Sequence, residues 1–438
     1  MTNIALVVLD TLRKDSFDKH FNWLPGRRFE RAYTTANWTV PAHASLFTGL
    51  YPSEVGVHAK NIYCNCEELT LAEQLEAEGY TTRAFSANTN ITSHFNFDRG
   101  YKDFRTPEKF EKFNQEGIFN FPKFSRETDK HGFRKYIEAV LECVRSESDI
   151  LPSLLLGAKY AIGDNEMVKY GGALEALSEI NDINFGEQEF LFLNLMEAHE
   201  PYQAPEEYMS TEDPGLTEAI GDLSIGNENN RELIQQAYDD CAAYLSDIYR
   251  KIFGELQEEF DYIITLSDHG EMLGEYDAWG HEHGVYPQLT HVPLCLSGDG
   301  LTGNVKKPVN ILDVHKTVLD AAGISESQRG QTLLSPVTER DRLTEYIGLT
   351  SWSERKLEKN GLGDKIKEYD EPLRGVAGPV DYYGFETTSD FVETGSNQQQ
   401  SGKERLDTLI DDLKTKHVEQ DNAVPEEVED RLKDLGYA

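Results

Sequence analysis

The fold of this 438-residue chain is constrained most by three continuous apolar runs. Each run ends in residues able to do chemistry. They read NIALVVLD, ending at Asp10, EFLFLNLMEAH, ending at His199, and DYIITLSDHGE, which contains Asp268 and His269. Unbroken apolar runs are typical of strands buried on both faces of a parallel sheet. Because helical patterns separate them, the sequence predicts an α/β fold with a mostly parallel sheet, whose ligands bind beyond the carboxyl ends of the strands.

The remaining patterns divide the chain into a large and a smaller part. Residues 105–185 are rich in Lys, Glu and aromatic residues and predict a helical insertion. Beyond residue 325, short antiparallel strands and a closing helix over 425–436 are indicated. A single core stops growing near ~250–300 residues. We therefore expect a large domain over 1–325, its sheet flanked by helices, and a smaller domain over 326–438 with an antiparallel sheet and a helix.

The chain is strongly acidic along its whole length. It has 42 Lys and Arg against 78 Asp and Glu, a formal net charge of −36. Such a surface repels nucleic acid and anionic membranes. Adaptation to a high-salt cytoplasm or binding to a basic partner would each account for the charge. Because the excess is distributed and 39% of the residues are hydrophobic, we favour a salt-adapted, halophilic protein, in which an anionic substrate needs a locally positive site such as a metal.

The sequence offers little evidence of a targeting segment, a membrane span or disulfide bonds. The apolar run after Met-Thr-Asn is too short for a signal peptide, and no run approaches the ~18–20 residues of a membrane span. The five cysteines are an odd number and do not describe a disulfide framework. Cys64 and Cys66 form a lone C-x-C, which is more typical of ordinary loop and strand residues than of a metal clip. We expect a cytoplasmic protein and leave its oligomeric state open.

The polar residues after the first and third runs predict a metal site. Asp10 follows one strand, and Asp268 and His269 follow another. Singly, each has an ordinary structural explanation as a turn or cap residue. Converging at one sheet edge, they offer carboxylate oxygens to a hard divalent cation, and the imidazole widens the choice to Mn²⁺ or Zn²⁺.

A second feature is the stretch ANWTVPAHASLFTG, residues 36–49, at the start of a predicted helix. Thr39 precedes Pro41 by two residues, and His43 follows on the same helix. The positive end of a helix dipole stabilises an anion, including an alkoxide or a phosphoryl oxygen. Thr39 could therefore attack a substrate, or it could merely cap the helix, with His43 a core residue.

Histidines near strand and helix ends are candidates for proton transfer. His199, His281 and His283 lie close after the second and third apolar runs, and imidazole acts as an acid or base near neutral pH. A lone histidine is more often structural. His43, His281 and His283 could instead hold a second metal ion, and Asn61 is a further candidate ligand for that metal or for the substrate.

The order of several segments resembles the sulfatase family of the alkaline phosphatase superfamily. The resemblance covers residues 3 to about 325, apart from the insertion, and resumes at the last helix. The segments that carry it are NIALVVLDTLRKD, TVPAHASLFTGLYPSEVGVH, GYTTRAFSANTNI, NLMEAHEPY, SDHGEMLGE, HGVYPQLTHVPL, VNILDVHKTVLDAAGI and RLKDLGYA.

The resemblance implies the same two-part architecture and one divalent metal ion, Ca, Mg, Mn or Zn. Carried over by position, Asp10, Asp268 and His269 resemble the metal ligands, and Thr39 occupies the position of the nucleophile, which also contacts the metal. His199 matches a substrate-facing histidine. His283 falls near the Lys or His that contacts the anionic group.

The sequence departs from family sulfatases at the helix start. Those have Cys or Ser followed by x-Pro-x-Arg, and the Cys or Ser is oxidised to formylglycine. Thr39 carries a methyl on Cβ, so that aldehyde cannot form, and His43 replaces the Arg. A Thr nucleophile suits phosphoryl chemistry, as in phosphodiesterase and phosphonate hydrolase relatives.

Three functions are therefore compatible with the sequence. The first is a metal-dependent hydrolase of sulfate or phosphate mono- or diesters, small or glycan-borne, with Thr39 as nucleophile and His199 or His283 protonating the leaving oxygen. The second is a phosphoethanolamine or phosphoglycerol transferase acting on a glycan or lipid; because such relatives are usually membrane-tethered, we rank it lower. The third is an inactive binding protein of the same fold.

Overall fold

A computed structural model describes the chain in segments, to which every structural statement below refers. They are residues 2–107, 119, 133–146, 149–150, 152–154, 171–212, 214–215, 219–225, 231–325, 329–395 and 401–417. Most of the predicted helical insertion over 105–185 and the predicted closing helix over 425–436 lie outside them.

Strands and helices alternate along the described part of the chain. The strands are β1 (Ile4–Leu9), β2 (Arg27–Phe29), β3 (Ala32–Tyr33), β4 (Thr81–Ser86), β5 (Asp103–Arg105), β6 (Glu189–Leu195), β7 (Ala219–Ile220), β8 (Leu223–Ser224), β9 (Tyr262–Leu266), β10 (Met272–Leu273), β11 (Trp279–Gly280), β12 (His291–Val292), β13 (Leu294–Gly298), β14 (Gly303–Val305), β15 (Val309–Asn310), β16 (Arg342–Tyr346), β17 (Leu373–Ala377), β18 (Tyr383–Glu386) and β19 (Phe391–Thr394). The helices are α1 (Lys14–His20), α2 (Thr39–Thr48), α3 (Pro52–Val55), α4 (Leu71–Ala77), α5 (Phe133–Arg145), α6 (Ala173–Asp182), α7 (Arg231–Glu259), α8 (Pro287–Thr290), α9 (Ile311–Ala321), α10 (Ser351–Lys359), α11 (Ile366–Tyr369) and α12 (Gly402–Asp411).

The central sheet has the strand order β14-β2-β13-β9-β1-β6-β4-β5. The five strands from β9 to β5 are parallel, and β13 runs antiparallel to both β9 and β2. The three apolar runs of the sequence form β1, β6 and β9, with β1 in the middle. Their carboxyl ends therefore meet at one edge of the sheet.

Helices cover both faces of this sheet. In β1 the even-numbered residues enter one apolar cluster with α2, α4 and α9, and the odd-numbered residues enter a second cluster with α1, α6 and α7. Because successive side chains of a strand point to opposite faces, an unbroken apolar run is what a strand between two helix layers requires. The core thus consists of two layers separated by the sheet.

The C-terminal part forms a second sheet, in which β16, β17, β18 and β19 are antiparallel neighbours. Helix α12 packs on this sheet through Leu406, which joins Leu343 and Val376 in one cluster. The sheet is attached close to Thr39, because Glu345 N–H donates to the carbonyl of Thr35 at 2.8 Å.

The predicted fold class is confirmed: a large α/β domain with a mostly parallel sheet, and a smaller C-terminal antiparallel sheet with a helix. The boundary at residue 325 and the insertion as a unit stay predictions, since residues 326–328 and most of 105–185 are outside the described segments. No helix among the described residues is long and apolar enough to cross a membrane.

Candidate active site

The carboxyl ends of β1 and β9 bring three predicted ligands together. Asp10 immediately follows β1, and Asp268 and His269 follow β9 within three residues. All three side chains are buried, and one potential ligand atom from each lies within 4.8 Å of the others. Within the described segments, no other group of three acidic, cysteine or histidine side chains is arranged in this way.

The carboxylates of this group suit a cation. Oδ1 of Asp268 accepts hydrogen bonds from the backbone N–H of Thr11, at 3.2 Å, and of His269, at 3.0 Å. Its other oxygen, Oδ2, is buried and has no hydrogen-bond partner among the described residues. Burial and the neighbouring charge of Asp10 raise the pKa of Asp268 well above its ordinary value. An unpartnered buried carboxylate oxygen beside a second carboxylate is the donor set that a divalent cation needs.

The hydrogen bonds of His269 fix its tautomer. Nδ1 lies 2.9 Å from the carbonyl oxygen of Gly270, which can only accept, so Nδ1 carries the proton and Nε2 presents a lone pair. Burial and the adjacent His281 hold the pKa of His269 well below its usual range. Gly270 is required here because a Cβ at this position would lie 2.0 Å from the carbonyl oxygen of Gln288. His269 is therefore a neutral imidazole with its basic nitrogen facing the site.

The hydroxyl of Thr39 faces that nitrogen. Thr39 Oγ1 lies 3.1 Å from His269 Nε2, and the Thr39 side chain is buried. The alternative that Thr39 is a plain cap is wrong: Trp38 is the N-cap residue of α2, and Thr39 is its first helical residue. Because Trp38 offers no capping oxygen, the positive end of the helix dipole is left to act on groups at the site.

Sequence reasoning missed Asn88, which joins Asp10 to Thr39. Asn88 lies two residues after β4, and its Nδ2 donates to Asp10 Oδ2 at 3.0 Å and to Thr39 Oγ1 at 3.5 Å. The signal was present in TTRAFSAN, a run rich in β-forming residues that ends, like the three apolar runs, in a polar residue. Asn88 thus orients the nucleophile candidate against one metal-ligand candidate.

His43 lies beneath the site with both ring nitrogens engaged. Nδ1 donates to the carbonyl oxygen of Thr39 at 2.9 Å, and Nε2 accepts from Asn194 Nδ2 at 3.1 Å. Nδ1 also lies 3.5 Å from Asp268 Oδ2. Burial lowers the pKa of His43, so the ring is neutral and does not replace the charge of an arginine. These contacts favour a positioning role for His43 over a catalytic one.

His199 and His281 form a second layer over the metal-ligand candidates. The ring of His281 lies 4.6 Å from that of His269 and 5.1 Å from that of His199. His281 Nδ1 donates to Glu271 Oε1 at 3.0 Å. Burial alone would lower the pKa of His281, but the buried Glu271 outweighs it and raises that pKa to about 9. His281 is therefore protonated at neutral pH, and Glu271 is a second residue that sequence reasoning missed.

The structure places His283 and Asn61 elsewhere. His283 packs between Tyr346 and Tyr369, with ring centroids at 5.0 and 4.5 Å, and neither ring nitrogen has a hydrogen-bond partner among the described residues. Asn61 donates to the carbonyl of Gly56 at 2.7 Å. The predicted second metal site of His43, His281 and His283 is not assembled, because these residues form no ligand cluster in the part of the chain that is described. Of the two neighbouring histidines, His281 faces the site.

Comparisons with known proteins place the chain in a family. The model of a family described as Sulfatase matches residues 19–324. The uncharacterized sulfatase YidJ of Escherichia coli is 23% identical over 346 residues, covering 73% of this chain and 66% of that protein. An ulvan-active sulfatase of Formosa agariphila is 23% identical over 364 residues, covering 78% of this chain and 62% of that protein. The chain thus spans slightly less than two thirds of these relatives.

A solved structure extends the comparison to the fold. The phosphonate monoester hydrolase of Silicibacter pomeroyi matches with a TM-score of 0.60 over 92% of this chain and 90% of that one, at 18% identity. At this identity the match concerns architecture alone. It agrees with the large α/β domain and the small C-terminal sheet described above.

Proposed function

This chain belongs to the sulfatase family, and from that premise we propose that it is a metal-dependent hydrolase of sulfuric or phosphoric esters with Thr39 as nucleophile. One observation carries the proposal. Thr39 Oγ1 lies at the first turn of α2, 3.1 Å from His269 Nε2, and His269 belongs to the buried group formed with Asp10 and Asp268. A hydroxyl between a helix N-terminus and such a group is placed for nucleophilic attack.

The residues present fit one divalent cation, held by Asp10, Asp268 and His269. The fit rests on the unpartnered Asp268 Oδ2 and on the unprotonated Nε2 of His269. When bound, such a cation lowers the pKa of a neighbouring hydroxyl and offsets the charge that develops on the transferred group.

The protein's own side chains account for the remaining chemistry. Thr39 Oγ1, after losing its proton to solvent, attacks the sulfur or phosphorus atom, and the bond from that atom to the leaving oxygen breaks. His281, protonated and fixed by Glu271, gives its proton to the leaving oxygen. Water then attacks the sulfur or phosphorus atom of the Thr39 ester and gives one proton to His281. The bond from that atom to Thr39 Oγ1 breaks, Oγ1 takes a proton from solvent, and the free anion is released. His199, the other predicted donor, is the weaker candidate, because burial lowers its pKa and its Nδ1 donates to the Glu200 carbonyl oxygen at 2.6 Å.

The identity of the residue at the nucleophile position affects which class of ester can be hydrolysed. Thr39 cannot become formylglycine, so the release of sulfate by elimination from an aldehyde hydrate is not open to it. A second attack by water at phosphorus completes the hydrolysis of a Thr phosphoester directly. We therefore propose phosphate esters and phosphonate esters as substrates alongside sulfates, on small molecules or glycans.

Replacement of Thr39 tests the proposal. Thr39→Ala should lower turnover by at least about a thousand-fold while metal content, measured by elemental mass spectrometry, is retained. Thr39→Ser should keep measurable turnover. Substrates are aryl sulfate, phosphate monoester, phosphate diester and phosphonate esters, assayed at high salt with Mg²⁺, Ca²⁺, Mn²⁺ or Zn²⁺.

Thr48→Ala is a matched control, because Thr48 is a buried threonine of the same helix whose hydroxyl donates to the Ala44 carbonyl. It should leave turnover largely unchanged. An unaltered rate in Thr39→Ala would exclude Thr39 as the nucleophile, and no turnover of any ester by the unaltered protein would favour the inactive binding protein.

A further inference from the structure

A pair of cysteines lies in the loop between α3 and α4, apart from the candidate active site. Cys64 and Cys66 are two residues apart, at a bend where Asn65 N–H donates to the Tyr63 carbonyl at 2.9 Å. Their side chains interact with each other, and the Cys66 thiol also contacts the Glu68 carbonyl oxygen at 3.9 Å. Cys64 is fully buried in the core, whereas Cys66 is partly exposed. Cys66 is therefore the more accessible member of the pair.

Arg99 holds a positive charge against the exposed member. Its Nη1 lies 3.6 Å from Cys66 Sγ and donates to the carbonyl oxygens of Cys66, at 2.9 Å, and Cys64, at 3.2 Å. Glu73 fixes the other side of the guanidinium, at 2.9 Å from Nη2. Because Arg99 is anchored at several points, its charge stays beside Cys66 Sγ, where it favours a thiolate.

This environment distinguishes Cys66 from the other four cysteines. The interaction with Cys64, together with Arg99, lowers the pKa of Cys66 to about 7 despite partial burial. Burial raises the pKa of Cys295 to about 11, and the pKa values of Cys143 and Cys241 are also raised. The pKa of Cys64 is raised as well, chiefly by its contact with Cys66. Such a division between neighbours is typical of a nucleophilic and a resolving thiol.

We propose that Cys64 and Cys66 form a reversible redox site for small-molecule disulfides, in which Cys66 attacks and Cys64 resolves. The Cys66 thiolate attacks one sulfur of the disulfide, whose S–S bond breaks and releases one thiolate. Cys64, giving its proton to solvent, then attacks Cys66 Sγ in the mixed disulfide and expels the second thiolate. The two cysteines lose two electrons to form an intramolecular disulfide, and the small disulfide is reduced to two thiols.

The test treats the full-length reduced protein with 5,5′-dithiobis(2-nitrobenzoate), a disulfide whose released thiolate is coloured. The unaltered protein should release about two equivalents of thiolate in a fast phase and become lighter by about two mass units, with no adduct. Peptide mapping should then recover Cys64 and Cys66 in one disulfide-linked peptide. The fast phase should be at least about tenfold faster than reaction of the remaining cysteines.

Three variants separate the steps. Cys64→Ser should release about one equivalent and keep a stable adduct on Cys66, whereas Cys66→Ser should lose the fast phase. Cys295→Ser is the control, because a serine can preserve the contact of Cys295 with the Pro25 carbonyl, and it should react like the unaltered protein. A fast phase that survives in Cys66→Ser, or a stable mixed disulfide on the unaltered protein, would overturn the proposal. The ester substrates take no part in this assay, so its outcome is independent of the proposed hydrolase activity.

Discussion

Asp10 and Asp268 place two carboxylates side by side in a buried site, which is unfavourable without a cation. Burial opposes the charge of Asp10, yet its pKa is lowered and the Thr11 hydroxyl donates to its Oδ1 at 2.8 Å, while burial and Asp10 raise the pKa of Asp268. Like charges so close oppose each other strongly in an interior of low dielectric. The site is therefore arranged to bind a cation at some cost to the stability of the metal-free protein.

Asp268→Asn should consequently stabilise the metal-free protein and weaken metal binding. The amide keeps the shape of the side chain and removes one buried acid, so in the presence of a chelator we expect a gain of about 1–3 kcal/mol and a melting temperature a few degrees higher. The rise in melting temperature on adding Mn²⁺ or Zn²⁺ should shrink. Asp299→Asn, at an exposed position, is the control. A lower melting temperature of Asp268→Asn in chelator would contradict this account.

His281 and His283 offer a matched comparison two residues apart. His281 is held by Glu271 beside His269, whereas His283 is packed between tyrosines. His281→Gln should lower kcat by about a hundred-fold or more, as expected for loss of a general acid. His283→Phe should change kcat by no more than a few-fold. Steady-state kinetics on one ester measures both, and the opposite ranking would return the acid role to His283.

Among the secondary-structure elements, the sequence predicted where the strands that carry the site end, but it did not decide which residue begins helix α2. Asp10, Asp268 and His269 were found because an apolar run fixes where a strand ends, and adjacent parallel strands end at one edge. The role of Thr39 at the start of α2 stayed open, because a Thr near a Pro is usually a cap and only the fold shows that Trp38 precedes the first turn. The Thr39 hydroxyl then faces His269, which follows β9.

Asn88 shows why a strand end can be overlooked. It follows β4, which is mostly polar in sequence, and its amide resembles an ordinary turn residue until the fold places it beside Asp10 and Thr39. Asn88→Ala should remove the donor that orients the Thr39 hydroxyl and lower kcat by about 10- to 100-fold, with Asp10, Asp268 and His269 still binding metal. Elemental analysis beside kinetics checks this. Loss of the metal together with activity would show a structural role instead.

At the scale of the whole molecule, the sequence predicted the two-part architecture but not how the parts meet. The C-terminal sheet adjoins the segment before Thr39 through Glu345, and Trp352 of α10 packs edge-on against Trp38 at 5.7 Å. These contacts join residues about 310 positions apart, and local periodicity carries no information about them. For the same reason the sequence could not distinguish the roles of His281 and His283, because the tyrosines that enclose His283 come from β16 and α11.

The net charge of −36 should make the stability of the folded chain depend on salt. Self-repulsion among distributed carboxylates opposes the compact state, and salt shortens the Debye length from about 10 Å at 0.1 M to about 3 Å at 1 M. We expect the melting temperature near pH 7 to rise by several degrees between these KCl concentrations. The same titration near the isoelectric point of about 4.6 should give a much smaller rise, because there is little net charge to screen. Equal rises at both pH values would assign the effect to preferential exclusion of salt, and a fall near pH 7 would refute the hypothesis of salt adaptation.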